Sequence, residues 1–155
     1  QRQMCIRDSP SSEETLREKV VDEYGNIRSD EQGYMQGGDV FNFVIREIPR
    51  DIKKTLEYAG DTADSFDYIV FHQANNFINA YIAKKMKLDT DKIPSTIAKY
   101  GNTSSVSVPL TIVSELKDRL YGNKKLLLSA FGVGMTWATG IVPFVDCKIS
   151  DIVEV

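Results

Sequence analysis

The sequence predicts an α/β fold, in which helices flank a mixed sheet that ends in an antiparallel strand pair. Short apolar runs rich in β-branched and aromatic residues alternate with segments of helical spacing, as at residues 68–71 and the stretch after Asn76. Two further strands are predicted at residues 125–131 and 136–145. The link between these two strands is short enough to predict an antiparallel pair.

The bulk composition is that of an ordinary globular domain and argues against several functions. The chain has 155 residues, of which 42% are hydrophobic and 26% are charged. A net charge of −3 without a basic block predicts no nucleic-acid partner, and no apolar run approaches the roughly 18–20 residues that span a bilayer. One histidine and two distant cysteines, Cys5 and Cys147, fit no metal site or disulfide framework. We therefore expect a cytoplasmic protein with no metal, no cofactor and no membrane contact.

The N-terminal part of the chain carries little information about the fold. Residues 1–9 have no periodicity and look like a foreign tail, and residues 10–34 form a polar, poorly defined segment. Within that segment we predict a short helix over residues 13–21 and a turn at Gly25. The folded domain is predicted to span residues 35–155.

The first well-defined element is a helix predicted from Asp39 to Tyr58. Asp39 is a suitable N-cap. The apolar side chains that follow recur at helical spacing: Phe41, Val44, Ile45, Ile48, Ile52 and Leu56. Because Pro49 lies inside this stripe and lacks an N–H, it should kink the helix or split it.

A buried strand over residues 68–71 ends at His72, and a second helix follows to near Leu88. Its predicted apolar face consists of Phe77, Ile78, Tyr81, Ile82 and Met86. We then predict a short strand over residues 96–99.

A loop at residues 101–105 leads through Pro109 into a third helix, which Gly122 ends. The apolar face of that helix carries Val113, Leu116 and Leu120.

Three predicted turns carry polar groups at a strand end or a helix start. His72 offers an imidazole N–H, Asn102 a carboxamide N–H₂, and the turn of residues 132–134 backbone N–H groups. These are hydrogen-bond donors without a nucleophile, a set that suits a carbonyl oxygen gaining negative charge. The positive potential of a helix start would keep the imidazole neutral. Three plainer interpretations stay open: a histidine that only caps or packs, an Asn102 loop that only caps a helix, and a glycine turn that is only a bulge.

Three motifs, in this order, resemble a known family. They are Phe71-His72-Gln73-Ala74-Asn75, then Tyr100-Gly101-Asn102-Thr103-Ser104 with Pro109, and Phe131-Gly132-Val133-Gly134-Met135-Thr136-Trp137. Together they resemble the C-terminal half of a β-ketoacyl-ACP synthase III, a condensing enzyme of the thiolase superfamily. Residues 35–41 are similar to the family's segment beside the pantetheine channel.

The resemblance implies a thiolase-like C-terminal half-domain that lacks its first strand, and a decarboxylating Claisen condensation. An acyl thioester would be condensed with malonyl-ACP to give a 3-oxoacyl-ACP, in fatty-acid or related biosynthesis. His72 and Asn102 would hold the thioester carbonyl of malonyl-ACP and stabilise the enolate left when carbon dioxide departs. The backbone N–H of Val133 matches the family's oxyanion donor.

The resemblance also assigns binding roles. Four residues match positions that line the pantetheine and acyl channel: Gly37, Phe41, Asn75 and Ile78. Lys84 and Lys85 match basic positions implicated in docking the acidic carrier protein, with a plain solvated lysine pair as the alternative. The implied partners are acyl carrier protein and an acyl-CoA or acyl-ACP substrate, whose phosphopantetheine enters the channel. The full-length parent would be a homodimer.

Two departures from the family pattern limit what can be carried over. The family's nucleophilic cysteine belongs to the N-terminal half, and neither Cys5 nor Cys147 replaces it, so we expect this fragment alone to be inactive. Phe77 replaces an arginine that often follows the first motif, on the carrier-docking surface. The alternatives are another thiolase-superfamily synthase that uses CoA thioesters, or a non-catalytic module that binds a carrier protein.

Overall fold

The structure of the chain is a computed structural model. It describes four ranges, residues 11–21, 23–30, 37–132 and 135–153. The predicted tail at residues 1–9, with Cys5, lies outside the described residues, and so does Val133. The described residues divide into two compact units: residues 44–131 with 137–153 form the larger one, and the rest form the smaller one.

The smaller unit contains a short helix and a two-stranded hairpin. Helix α1 spans Glu13–Leu16, and the antiparallel strands β1 and β2 span Lys19–Val20 and Ile27–Arg28. The predicted turn at Gly25 joins the two strands, and the φ of +76° at Gly25 lies in the left-handed region that glycine favours.

The predicted helix over residues 13–21 is therefore wrong beyond Leu16. Ser12 caps the helix through its side chain, which accepts a hydrogen bond from the N–H of Thr15. The chain then becomes extended, because its β-branched residues favour a strand. Pairing with β2 also satisfies the backbone hydrogen bonds of this segment.

Helix α2 spans Gly37–Ala59, close to the predicted limits. Because it begins before Asp39, that residue lies in the first turn rather than at the N-cap, where its negative charge still complements the positive helix end. The buried residues of α2 recur at helical spacing: Val44, Ile48, Pro49, Ile52 and Leu56.

Pro49 does not split α2, contrary to one of the two outcomes predicted for it. A proline inside a helix leaves the carbonyl of the fourth preceding residue without its usual donor. That carbonyl belongs to Ile45, and it accepts a hydrogen bond from Nζ of Lys85 at 2.7 Å. The lysine therefore supplies the donor that the proline removes.

The larger unit is built on a three-stranded sheet in the order β3-β4-β5. Strands β3, β4 and β5 span Tyr68–Phe71, Asn123–Gly132 and Thr136–Val145, which confirms three of the four predicted strands. β3 pairs with β4 in parallel, from Tyr68 opposite Leu126 to Phe71 opposite Ser129. Because only a few residues separate β4 from its neighbour β5, these two strands are antiparallel. The sheet is mixed, as predicted.

Helix α3 spans Asn76–Met86. It buries Ile78, Asn79, Ile82 and Ala83. The predicted face was wrong for Phe77 and Tyr81, of which 69% and 38% stay exposed. Both pairs, 77 with 81 and 78 with 82, have the same helical spacing, so periodicity alone cannot choose which of two adjacent rows faces the core.

The predicted strand over residues 96–99 is a helical turn instead. Helix α4 spans Ile97–Tyr100, and the carbonyl of Thr96 accepts hydrogen bonds from the N–H groups of Lys99 and Tyr100. Gly101 ends the turn at a φ of +66°.

The predicted third helix begins as α5, Ser107–Thr111, and continues through a π-helical turn, Ile112–Leu116, and a 3₁₀ turn, Lys117–Arg119. Further 3₁₀ turns occur at Ala63–Ser65, Thr90–Lys92 and Ser104–Val106. A cluster of buried side chains joins this helical segment to β3 and β4: Val70, Ile112, Leu116, Leu120 and Leu126. Trp137, in β5, is 42% exposed.

Candidate functional site

The backbone of His72 is fixed on both sides at the end of β3. Its N–H donates to the carbonyl of Ser129 on β4 at 2.9 Å, and its carbonyl accepts from Nδ2 of Asn79 on α3 at 3.2 Å. Helix α3 begins only at Asn76. His72 therefore precedes the helix and does not occupy its N-terminus, which corrects the predicted cause of its neutrality.

Burial, rather than a helix terminus, keeps the imidazole neutral. The side chain is half-buried, and desolvation of the charged form lowers the pKa of His72 below its ordinary value of 6.5. The ring of Phe131 lies edge-on to the imidazole, with centroids 5.1 Å apart and planes at 85°. At neutral pH the ring is therefore a neutral imidazole, with one N–H donor and one acceptor nitrogen.

Ser107 is the functional neighbour of His72 that the sequence analysis missed. Its Oγ lies 2.6 Å from Nδ1 of His72, and Ser107 is fully buried at the start of α5. The only signal in the sequence is its place shortly after the Asn102 loop, and nothing local marks it as a partner of a residue 35 positions away.

Asn102 lies in an exposed loop whose backbone is tightly turned. Its side-chain Oδ1 accepts a hydrogen bond from the N–H of Ser104 at 2.9 Å, and Ser104 itself has a φ of +55°. The carboxamide oxygen is thus held by its own loop, as in the plainer interpretation of this motif. The N–H₂ end of the same carboxamide is not used by this turn and can serve as a donor.

The loop of Asn102 and the end of β3 are joined through Ser107. This residue follows the loop directly in sequence and contacts the imidazole of His72. A hydrogen bond therefore joins the first predicted motif, at His72, to the segment that follows the Asn102 loop. The third predicted motif contacts His72 through the ring of Phe131. The predicted oxyanion donor of that motif, Val133, lies outside the described residues.

The four predicted channel residues have different surroundings. Gly37 is exposed and Phe41 half-buried at the start of α2. Asn75 is the N-cap of α3, where its Oδ1 accepts from the N–H of Ile78 at 2.8 Å, and Ile78 is buried. These two residues thus have structural roles of their own, and the channel roles of all four stay predictions.

The two predicted docking lysines also differ. Both are exposed near the end of α3, where cations complement the helix dipole. Nζ of Lys85 is bound to the carbonyl of Ile45 and lies 5.9 Å from the ring centroid of Tyr81. Lys84 takes part in neither of these two contacts.

Among the residues that the structure describes, no helix combines the length and hydrophobicity needed to cross a bilayer. Cys147 is an exposed free cysteine just after β5.

The architecture matches solved structures of 3-oxoacyl-(acyl-carrier-protein) synthases. The 3-oxoacyl-(acyl-carrier protein) synthase from Burkholderia xenovorans superposes with a TM-score of 0.75 at 42% identity, over 80% of this chain and 36% of that chain. This similarity gives the chain a thiolase-like fold, consistent with a C-terminal half-domain. Residues 56–144 match the family model of the 3-oxoacyl-[acyl-carrier-protein (ACP)] synthase III C-terminal region. The chain therefore belongs to that family.

Curated relatives agree with this assignment. The β-ketoacyl-[acyl-carrier-protein] synthase III of Streptococcus gordonii is 44% identical over 112 residues, which is 70% of this chain and 34% of that protein. The synthase of the same name from Lactococcus lactis subsp. cremoris is 37% identical over 111 residues, with the same coverage of each chain. The chain thus spans about a third of the length of these relatives. Gly37 and Phe41 precede the segment that the family model matches.

Proposed function

We propose that this chain supplies the histidine and asparagine of a 3-oxoacyl-ACP synthase III, which condenses an acyl thioester with malonyl-ACP. The observation that carries the proposal is His72, a half-buried neutral imidazole whose backbone is fixed between β4 and α3. Membership of the family supports it, and so do the names of the curated relatives.

The proposed chemistry needs donors that strengthen as charge develops. His72 and the N–H₂ of Asn102 would bind the thioester carbonyl oxygen of malonyl-ACP. When carbon dioxide leaves, the electron pair of the broken C–C bond becomes an enolate, and its oxygen attracts both donors more strongly than the ground-state carbonyl does. The enolate carbon then attacks an acyl group held as a thioester on a cysteine. The new C–C bond gives a 3-oxoacyl-ACP, and the cysteine leaves as a thiolate.

The acyl-bearing cysteine would come from the part of the relatives that this chain does not match. An acyl carrier protein would be the partner, and the exposed charge of Lys84 suits an acidic surface. The channel roles of Gly37, Phe41, Asn75 and Ile78, the homodimeric parent and the cytoplasmic location belong to the same proposal.

The first test replaces His72 and Asn102 by alanine, one at a time, in the protein that contains this chain. Decarboxylation of malonyl-ACP should fall roughly 10²- to 10³-fold in each variant, because each loses one donor to the enolate oxygen. Ser105→Ala changes an exposed residue at the end of the same loop and should leave the rate within about twofold. Rates within a few-fold of the parent in both alanine variants would refute the proposed roles.

A second comparison separates the proposal from its alternatives. The parent should turn over malonyl-ACP faster than malonyl-CoA, because the carrier protein adds contacts that CoA lacks. Equal rates on both substrates would indicate a synthase that uses CoA thioesters. A protein that binds acyl carrier protein and releases no carbon dioxide would be a non-catalytic binding module.

A further inference from the structure

The Ser107 hydroxyl is enclosed by the protein and has hydrogen-bond partners there. Its Oγ lies 2.6 Å from Nδ1 of His72 and also accepts the backbone N–H of Gln73 at 3.2 Å. Ser107 and Gln73 are both fully buried. This hydroxyl therefore has two protein partners, and solvent does not compete for it.

The direction of the two bonds follows from counting protons. A hydroxyl has one proton to donate and two lone pairs, and the N–H of Gln73 can only donate. If Nδ1 of His72 also donated, Oγ would accept twice, and its own proton would need a third partner. Among the described residues, Nδ1 is the one acceptor within hydrogen-bonding distance of that proton. Burying an unpaired donor is unfavourable, so the hydroxyl donates to Nδ1.

Ser107 is itself held by a closed circuit of buried hydrogen bonds. Oγ1 of Thr111 donates to the carbonyl of Ser107 at 2.8 Å, so the 2.8 Å contact between Thr96 and Thr111 takes its proton from Thr96. The N–H of Thr96 in turn donates to Oε1 of Gln73 at 3.0 Å, and the N–H of Gln73 closes the circuit at Ser107. These four residues are at most 1% exposed. The circuit leaves Ser107 little freedom to turn away from His72.

We propose that Ser107 is a positioning residue, whose hydroxyl donates to Nδ1 of His72 and holds the ring as the Nε2–H tautomer. A neutral imidazole carries one proton, so an Nδ1 that accepts leaves that proton on Nε2. The part of this inference that concerns substrate rests on the proposed function: Nε2–H is then the donor offered to the malonyl thioester carbonyl. The tautomer itself is a property of the protein without substrate.

Nitrogen-15 NMR of histidine-labelled protein tests the tautomer directly. His72 is the only histidine in the chain, so the two ring nitrogens give an unambiguous pair of signals. At about pH 8, above the ordinary histidine pKa of roughly 6.5, Nε2 should carry the proton and Nδ1 should show the shift of an unprotonated, hydrogen-bonded nitrogen. A spectrum dominated by Nδ1–H would overturn the proposal without any substitution.

Variants then test whether Ser107 is the cause. Ser107→Ala should raise the minor Nδ1–H population several-fold, because the donor that penalises it has gone. Ser107→Thr keeps the hydroxyl and should restore a single tautomer, and Ser105→Ala should match the parent. An unchanged tautomer ratio in a folded Ser107→Ala protein would remove Ser107 from this role. If Ser107→Ala does not fold, the spectra of the unsubstituted chain and of Ser107→Thr still show whether the proton is on Nε2, and an Nδ1–H spectrum would refute the proposal.

Kinetics separate this inference from the proposed function. In the protein that contains this chain, Ser107→Ala should lower kcat for malonyl-ACP decarboxylation by roughly tenfold with little change in KM, since the donor acts on the developing charge. If the tautomer ratio changes in Ser107→Ala but His72→Ala keeps full activity, the proposed function is refuted and the positioning role remains. If His72→Ala loses activity but the tautomer ratio is unchanged in Ser107→Ala, the positioning role is refuted and the proposed function remains.

Discussion

At the scale of single residues, the position of His72 at the end of β3 determines its properties. Its position at the end of β3 gives it two backbone anchors and a half-buried ring against Phe131. Because helix α3 begins only at Asn76, its dipole does not explain the neutral ring. Desolvation does, and desolvation depends on the residues packed around the ring rather than on its neighbours in sequence.

The lowered pKa of His72 predicts a pH dependence of stability. The unfolded chain binds a proton at His72 near pH 6.5, whereas the folded chain binds it only at lower pH. Between these two values the unfolded state holds more protons, so the free energy of unfolding should fall as the pH decreases from about 6.5 towards the folded pKa. Urea denaturation at several pH values in this window measures the slope.

The control for this prediction is His72→Gln, which removes the titrating group. Asp67 and Glu115 also have lowered pKa values, Asp67 chiefly through the backbone N–H of Lys125 and Glu115 chiefly through Lys99. These carboxyls titrate below their ordinary values of 3.8 and 4.5, so they stay ionised in both states near pH 6.5, where the predicted slope begins. The slope should therefore weaken in His72→Gln, and an equal slope in both proteins would show that another group is responsible.

At the scale of elements, α2 and α3 are joined by a bond that neither helix predicts alone. Pro49 removes a backbone donor from α2, and Lys85 of α3 provides a replacement at the carbonyl of Ile45. A sequence pattern shows the proline as a helix breaker. Only the packing of a second helix beside it shows how the missing hydrogen bond is recovered and why α2 continues to Ala59.

The hydrogen bond from Lys85 to Ile45 predicts that Lys84 and Lys85 contribute unequally to stability. Lys85→Met should lower the free energy of unfolding by about 1 kcal/mol, because it removes a hydrogen bond to a carbonyl that lacks its usual backbone donor. Lys84→Met should change it by less than about 0.5 kcal/mol, as exposed substitutions usually do. Chemical denaturation of both variants checks the difference.

A double-mutant cycle tests the mechanism. Pro49→Ala returns an N–H to the helix, so Lys85→Met should cost less in that background than in the parent. Additive effects of the two substitutions would mean that the lysine does not compensate for the proline.

The two misassigned elements fail for a common reason. Residues 13–21 and 96–99 are short, and a short segment has too few residues for its periodicity to separate helix from strand. Val20 becomes extended by pairing with Ile27, and the turn of α4 forms on the carbonyl of Thr96. In both cases hydrogen bonds formed in the folded chain outweigh weak local preference.

At the scale of the whole molecule, the larger unit depends on the parallel pair of β3 and β4. Leu126 is fully buried opposite Tyr68 and packs in the cluster that includes Val70 and Leu116. The histidine follows directly on β3, so the packing that holds the sheet also holds the candidate site.

Leu126→Ala should therefore lower the free energy of unfolding by about 2–5 kcal/mol, because it leaves a cavity among fully buried side chains. Leu16→Ala truncates a side chain that is 61% exposed and should cost less than about 0.5 kcal/mol. Urea denaturation midpoints with unchanged m-values would measure both effects. A loss for Leu126→Ala no larger than that for Leu16→Ala would contradict the described core.

The sequence by itself determined the α/β class, the three strands of the sheet, the limits of α2 and the residue at the end of β3. Strands and long helices have strong local periods, so their patterns survive without tertiary information. The motifs around His72, Asn102 and Phe131 also identified the family, because several chemically specific residues recur there in a fixed order.

Only the tertiary structure decided which face of α3 is buried, how α2 continues past Pro49, and what holds the imidazole. The partner of Nδ1 is Ser107, 35 positions away, and it reaches the ring because α5 packs beside the end of β3. No local pattern encodes that contact. Burial and hydrogen-bond direction are set by the residues that folding brings together, and these two quantities determine the chemistry of His72.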